Sequence, residues 1–174
     1  MENAFSTADL CDLFLQRPDG LQVVAPGFRS FGGRKAYCGQ IATARPAVAG
    51  GSAGLRQLLT EPGKGRVLVV DGGADDRWAI FGDQLAALGH RNGWAGIVVN
   101  GYVRDISALA SIDMGVHALG TMPCRPREFG AVECDLAVSF NRTRFAPGSW
   151  LYADEDGIIV CSEQQSVELQ AASE

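Results

Sequence analysis

The stretch from Leu68 to Leu119 constrains the fold of this chain more than any other part of it. Two runs here, Arg66-Val67-Leu68-Val69-Val70-Asp71 and Gly96-Ile97-Val98-Val99-Asn100-Gly101, are almost continuously apolar. Unbroken apolar runs of this length are what strands covered on both faces require. Between them, Trp78 to Arg91 sets Trp78, Phe81, Leu85 and Leu88 near helical spacing and stops at Asn92-Gly93. A short helix over Ile106–Ala110 and a third strand over Gly115–Leu119 complete a strand, helix, strand, helix, strand order. That order predicts an α/β fold with a partly parallel sheet.

The flanks are readable in less detail. Thr7-Ala8-Asp9 opens a short capped helix carrying Leu10, Cys11, Leu13 and Phe14. Leu21–Val24 is a strand ended by Pro26-Gly27, and Ser30–Arg34 is a turn. Ala36–Ala44 alternates as a strand, Ala49–Gly54 is a loop, and Leu55–Thr60 is a helix stopped by Pro62-Gly63. Further strands are expected over Ala137–Phe140, Trp150–Ala153 and Gly157–Cys161, with turns at Pro147-Gly148 and Asp154–Gly157. The tail from about residue 163 is polar. With 174 residues, no internal repeat and no linker, the reading is one domain over 1–174.

Charge narrows the partners. Fifteen Lys and Arg against twenty Asp and Glu give a formal charge of −5, so the basic field that direct nucleic-acid binding exploits is not supplied. Arg125 and Arg127 around Pro126 are too few to change this. No apolar run approaches the ~20 residues that span a bilayer, which argues against a membrane partner. The start Met-Glu-Asn-Ala-Phe-Ser has neither a basic leader nor an apolar core, so a cytoplasmic location is expected. The five cysteines are scattered, without a CxxC pair, and are expected as free thiols in a reducing compartment.

Parallel sheets gather ligands at the carboxyl ends of their strands. Two such ends stand out. Asp71-Gly72-Gly73 leads toward Gly82-Asp83, and Asn100-Gly101 leads to Arg104-Asp105. Arginine grips a carboxylate with its planar fork, and aspartate offers a hard oxygen to Mg²⁺ or Mn²⁺.

The spacing of these residues, Asp83-x20-Arg104-Asp105, resembles the metal-site motif of class II 4-hydroxy-4-methyl-2-oxoglutarate aldolases and their RraA-like relatives. Phe31-Gly32-Gly33-Arg34, Gly65 to Gly72, Gly93 to Val99, and Leu151 to Val160 resemble the same family, so the likeness runs from about Asp9 to Val160. It implies a swivelling β/β/α-type domain in a homotrimer, with sites near subunit interfaces. It implies a metal-dependent lyase acting on a keto-diacid, with secondary oxaloacetate decarboxylase activity. It further implies Asp105 as the metal ligand, helped by waters, and Arg104 as the partner of the substrate carboxylate. Gly82, Asp83, Gln84 and Leu85 would line the substrate pocket, the N–H groups of Gln84 and Leu85 binding the pyruvyl carboxylate. Asp83, through a water at the metal, would serve as acid or base. Mg²⁺ or Mn²⁺ is expected, because no His or Cys accompanies these ligands.

Other members of the family bind and inhibit ribonuclease E, which is the alternative function. Retention of both Asp83 and Asp105 favours the enzyme. Relatives labelled demethylmenaquinone methyltransferases imply a cofactor site whose Gly-rich loop this chain lacks. The chain departs from the family at 46–54, where Pro46-Ala47-Val48-Ala49-Gly50-Gly51-Ser52 replaces an acidic-Asn segment. His90 and His117 are isolated and expected to pack. Cys38 and Cys161 are expected as buried hydrophobes. Asp154 and Asp156 are expected to shape a turn.

Overall fold

The computed structural model describes residues 5–14, 20–47, 53–126 and 130–165. The polar end beyond 165, residues 48–52 of the departing loop, and Arg127 lie outside them. In chain order the elements are α1 (Thr7–Phe14), β1 (Leu21–Val23), β2 (Arg29–Ser30), β3 (Tyr37–Pro46), α2 (Ala53–Thr60), β4 (Val67–Asp71), β5 (Ala79–Phe81), α3 (Asp83–Arg91), β6 (Gly96–Val103), α4 (Ile106–Leu109), β7 (Gly115–Thr121), β8 (Val132–Cys134), β9 (Val138–Phe140), β10 (Thr143–Phe145), β11 (Trp150–Ala153) and β12 (Ile158–Cys161).

The main path of the sheet runs β1-β12-β11-β3-β4-β6-β7-β2. Its centre, β3-β4-β6-β7, is parallel, and its flanks are antiparallel. Alternation along the central strands sorts the core into two layers. Leu68, Val70, Ile97, Val99, Val116 and Ala118 pack with Leu55 and Leu59 of α2 and Leu85 and Ala86 of α3. Val67, Val69 and Val98 face the other way, onto Leu151, Val160, Val138 and Phe145. Helices therefore cover one face of the parallel strands and a second β layer covers the other. This is why those strands read as unbroken apolar runs, and it is the mixed α/β arrangement that the sequence implied.

Two boundaries differ from expectation. The helix expected over Trp78–Arg91 begins only at Asp83; Ala79–Phe81 is instead a strand, paired in parallel with β6. All three of its residues are buried, and an apolar triplet before a glycine does not declare its own period. β6 in turn runs two residues past Gly101, to Val103, because β5 lies alongside to take up its hydrogen bonds. The strand pairs involving β2, β8 and β10 were also not foreseen; Ser30, expected in a turn, pairs with His117 of β7.

A polar network ties the layers together. Tyr37 lies across β6 and β7, where a Cβ on Gly115 would come within 2.0 Å of its ring, so only glycine fits beneath it. His117 Nε2 lies 3.2 Å from the Asp154 carbonyl oxygen, which can only accept, so Nε2 carries the proton. Nδ1 is then the acceptor, and the Tyr37 hydroxyl donates to it at 2.8 Å. The Asp154 carboxylate accepts from the Thr7 amide and hydroxyl at 2.7 and 2.6 Å, fixing the start of α1 from across the chain. It also accepts from the amides of Asp156 and Gly157, which is the expected turn role. All five thiols are free; Cys161 is buried and Cys38 half-buried.

Burial pushes the His117 imidazole down to about 4, outweighing the neighbouring Asp154. The folded state thus resists a proton that the unfolded chain accepts at its ordinary value of about 6.5. Above that pH both states are neutral and the residue contributes nothing to the pH dependence. As pH falls from 6.5 toward 4, stability is lost, and below about 4 the loss is complete, on the order of 3 kcal/mol. Urea unfolding of the wild type and His117→Gln across pH 4–7 measures it. The difference between the two curves should slope in that window; a flat difference would show that the imidazole is not held neutral.

Candidate functional site

Two adjacent parallel strands end together and set the site. Phe81 of β5 is in register with Val103 of β6, and the Arg104 amide donates to the Phe81 carbonyl at 3.1 Å. Gly82-Asp83 and Arg104-Asp105 therefore leave the sheet side by side. The partner junction is that of β5 and α3, and not the end of β4 that the sequence suggested. Asp71, at the end of β4, is engaged separately: its carboxylate accepts from Asn100 Nδ2 at 2.9 Å and the Gly73 amide at 3.2 Å, with Arg45 at 3.6 Å.

Gly82 is extended (φ −160°, ψ −168°) and stands at the N-cap of α3. That backbone suits any residue, so the need for glycine is one of space. A Cβ there would lie 2.8 Å from Asp105 Oδ2 and 3.2 Å from Arg104 Cγ. The missing side chain lets the carboxylate and the arginine stem close over the junction.

Asp105 has left-handed backbone angles (φ 59°, ψ 39°) at the N-cap of α4, and its side chain makes no capping bond. Aspartate at such a position normally caps the helix, and a non-glycine residue in this region costs about 1 kcal/mol or more. Here the carboxylate is turned instead to Arg104, whose Nε lies 3.2 Å from Oδ2. Both side chains are more than a third exposed, where an ion pair adds little stability. Strain of this kind at a strand end motivates a functional reading.

Asp83 begins α3 and is half-buried. The first amides of a helix lack partners within it. In this structure the Ala86 amide donates to the Gly82 carbonyl at 3.0 Å, and the Gln84 amide donates to Asp83 Oδ1 at 2.7 Å. A cavity of about 280 Å³ lies at these junctions, lined by Gly82, Asp83, Gln84, Leu85, Arg104 and Asp105. All six residues picked out by the resemblance thus meet at one cavity. Its size is near the lower end of the range for small-molecule sites, roughly 300–1,000 Å³.

Two arginines on the same cavity wall were not expected at the site; the sequence marks Arg125 only as part of a minor basic pair. Arg56, in α2, donates from Nη2 to Gln84 Oε1 at 3.2 Å. Arg125 follows β7 and also lines the cavity; the Ala79 amide donates to the Cys124 carbonyl at 2.7 Å, which brings that segment alongside β5. The signal available for Arg125 was its position just after β7, four residues beyond Thr121. Nothing in the local sequence marks Arg56. His90 is exposed at the end of α3 and His117 is buried in β7; neither lines the cavity.

Among the described residues no three His, Cys, Asp or Glu side chains gather as a metal cage. The donors available are hard carboxylate oxygens, Asp105 with Asp83 on the same cavity wall. That set fits an ion that keeps most of its waters and takes one or two carboxylates, as Mg²⁺ does. It does not fit a tetrahedral zinc site.

Comparison with known proteins adds three findings. The RraA-like family (Aldolase/RraA) matches residues 7–160. A Laribacter hongkongensis protein, provisionally named a 4-hydroxy-4-methyl-2-oxoglutarate aldolase, is 54% identical over 155 residues, 89% of this chain and 94% of the relative. One from Aromatoleum aromaticum, with the same provisional name, is 47% identical over 90% of this chain and 95% of its own length. Among solved structures, the RNA-processing inhibitor RraA from Thermus thermophilis superposes with a TM-score of 0.85 at 37% identity, covering 97% of this chain and 98% of that one. A Geobacillus kaustophilus protein titled S-adenosylmethionine: 2-dimethylmenaquinone methyltransferase superposes with a TM-score of 0.83, also at 37% identity, covering 98% of this chain and 100% of that one.

Proposed function

This chain belongs to the RraA-like family, and from that premise we propose that it is a divalent-cation-dependent carbon–carbon lyase. Its substrate would be 4-hydroxy-4-methyl-2-oxoglutarate or a related keto-diacid, cleaved to pyruvate. The observation that carries this reading is the Asp105 carboxylate turned away from its helix and toward Arg104, over Gly82, on a cavity that Asp83 also lines.

Asp105 would hold Mg²⁺ or Mn²⁺ with the help of waters. When bound, the cation supplies positive charge beside the pyruvyl end, where the enolate of pyruvate builds up. Arg104 grips the pyruvyl carboxylate and adds a second fixed positive charge. The Gln84 and Leu85 amides, at the start of α3, bind the same carboxylate. Taking up the Gln84 amide releases it from Asp83 Oδ1, which frees that carboxylate for proton work. Asp83, through a water, takes the C4 hydroxyl proton as the C3–C4 bond breaks, and a proton is then returned to C3 of the enolate. Loss of CO₂ from oxaloacetate leaves the same enolate, so decarboxylation of that acid is the expected secondary activity.

Pyruvate release from either acid, followed by a coupled dehydrogenase assay, tests the reading. EDTA should lower the rate by about a hundredfold or more, and Mg²⁺ or Mn²⁺ should restore it. A protein that releases no pyruvate with either metal supplied is not this lyase.

The likeness to a solved RNA-processing inhibitor supports a second reading, a regulator that binds ribonuclease E by protein contact. Net charge −5 suits a basic partner segment. A pull-down with ribonuclease E, repeated with Asp105→Ala, separates the two: capture that the substitution does not alter belongs to a surface independent of the cation site. The homotrimer is the assembly carried with both readings. A methyltransferase reading is less well supported, since a cavity lined by arginines and carboxylates suits a small acid better than a nucleoside cofactor.

A further inference from the structure

We infer that Arg56 and Arg125 form a subsite for the second carboxylate of the substrate, so that this cavity selects dicarboxylic 2-keto acids over monocarboxylic ones. The inference rests on the lyase reading for the placement of the pyruvyl end at Arg104.

Three arginines line the cavity, Arg56, Arg104 and Arg125, against two aspartates, Asp83 and Asp105. Arg104 is already paired with Asp105. Among the described residues, neither Arg56 nor Arg125 has a carboxylate within ion-pair distance. Arg56 is held by the neutral side chain of Gln84, which orients the guanidinium without cancelling its charge. The two come from separate elements, α2 and the segment after β7, and reach one cavity whose volume leaves room for only a small ligand. Uncompensated guanidinium groups on a small concave surface are a recognition device for an anion. The pyruvyl carboxylate is provided for at Arg104, so the anion they suit is a second one on the same molecule. A second cavity adjoins the first and shares Arg56, Asp83 and Gln84 with it, so Arg56 stands where a longer acid would extend.

The probe pair is 2-oxoglutarate and 2-oxopentanoate, which share the keto-acid end and chain length and differ in the distal carboxylate. Titration calorimetry with Mg²⁺ present should show the wild type binding 2-oxoglutarate about tenfold or more tightly than 2-oxopentanoate, the scale of one charge-assisted pair. Arg56→Gln and Arg125→Gln should each reduce that ratio severalfold, and the double variant should bring it near one. Thermal unfolding of each variant guards against a folding defect. A wild-type ratio near one, or a ratio that neither substitution moves, overturns the subsite. Failure of the lyase reading looks different: an arginine-dependent preference for 2-oxoglutarate in a protein that releases no pyruvate keeps the subsite and removes the reaction. Binding of neither acid overturns the subsite, whatever the pyruvate assay shows.

Discussion

Asp105→Ala is expected to lower kcat for pyruvate release by about a thousandfold while leaving the thermal midpoint within a few degrees of wild type. The catalytic half follows from the proposed role, since a cation offsetting the enolate supplies several kcal/mol and each ~1.4 kcal/mol is a factor of ten. The stability half follows from the geometry. The carboxylate caps nothing and pairs only with a partly exposed arginine, so its loss removes little. Alanine keeps a left-handed conformation that aspartate tolerates better, which adds a small penalty. The metal response is the sharper readout. The residual rate should no longer respond to EDTA or added Mg²⁺. A variant that keeps both its rate and its metal response would remove Asp105 from the chemistry.

Arg104→Lys should lower kcat/KM by about a hundredfold, and Arg104→Gln by about a thousandfold. Lysine retains the charge but loses the fork that meets a carboxylate at two points. Glutamine loses both. Because Arg104 Nε also lies 3.2 Å from Asp105 Oδ2, its removal disturbs the cation ligand as well. The losses in an Arg104→Gln, Asp105→Ala double variant should therefore fall well short of the product of the single ones. Steady-state kinetics on the four proteins measures this; multiplicative losses would show that the two side chains act independently.

The legible part of the fold was the part ruled by burial. β4 and β6 are sandwiched between helices and a second β layer, and that double cover is written directly as Val-Leu-Val-Val and Ile-Val-Val. The candidate site was legible as the spacing of Asp83, Arg104 and Asp105, and these three candidates line one cavity. Less legible was whatever depends on a partner distant in sequence. Ala79-Ile80-Phe81 fits the first turn of a helix as well as a strand, and only the extra length of β6 decides between them. Reading it as helix placed Gly82-Asp83 inside an element, when both sit at a strand-to-helix junction with backbone amides at hand. Arg56 and Arg125 were missed because surface arginines are ordinary, and their meaning comes from sharing a cavity. The docking of Asp154 onto Thr7 spans almost the whole chain, and no local pattern announces it.

Crystals grown with pyruvate and Mn²⁺ test the central claim most directly, because the metal can be located by its own anomalous scattering. The expected map has one Mn²⁺ peak about 2.2 Å from an Asp105 carboxylate oxygen, with pyruvate chelating it and the pyruvate carboxylate on Arg104 and the Gln84 and Leu85 amides. A saturated crystal with the Asp105 carboxylate still paired only to Arg104, and with Mn²⁺ or pyruvate bound elsewhere, would contradict it.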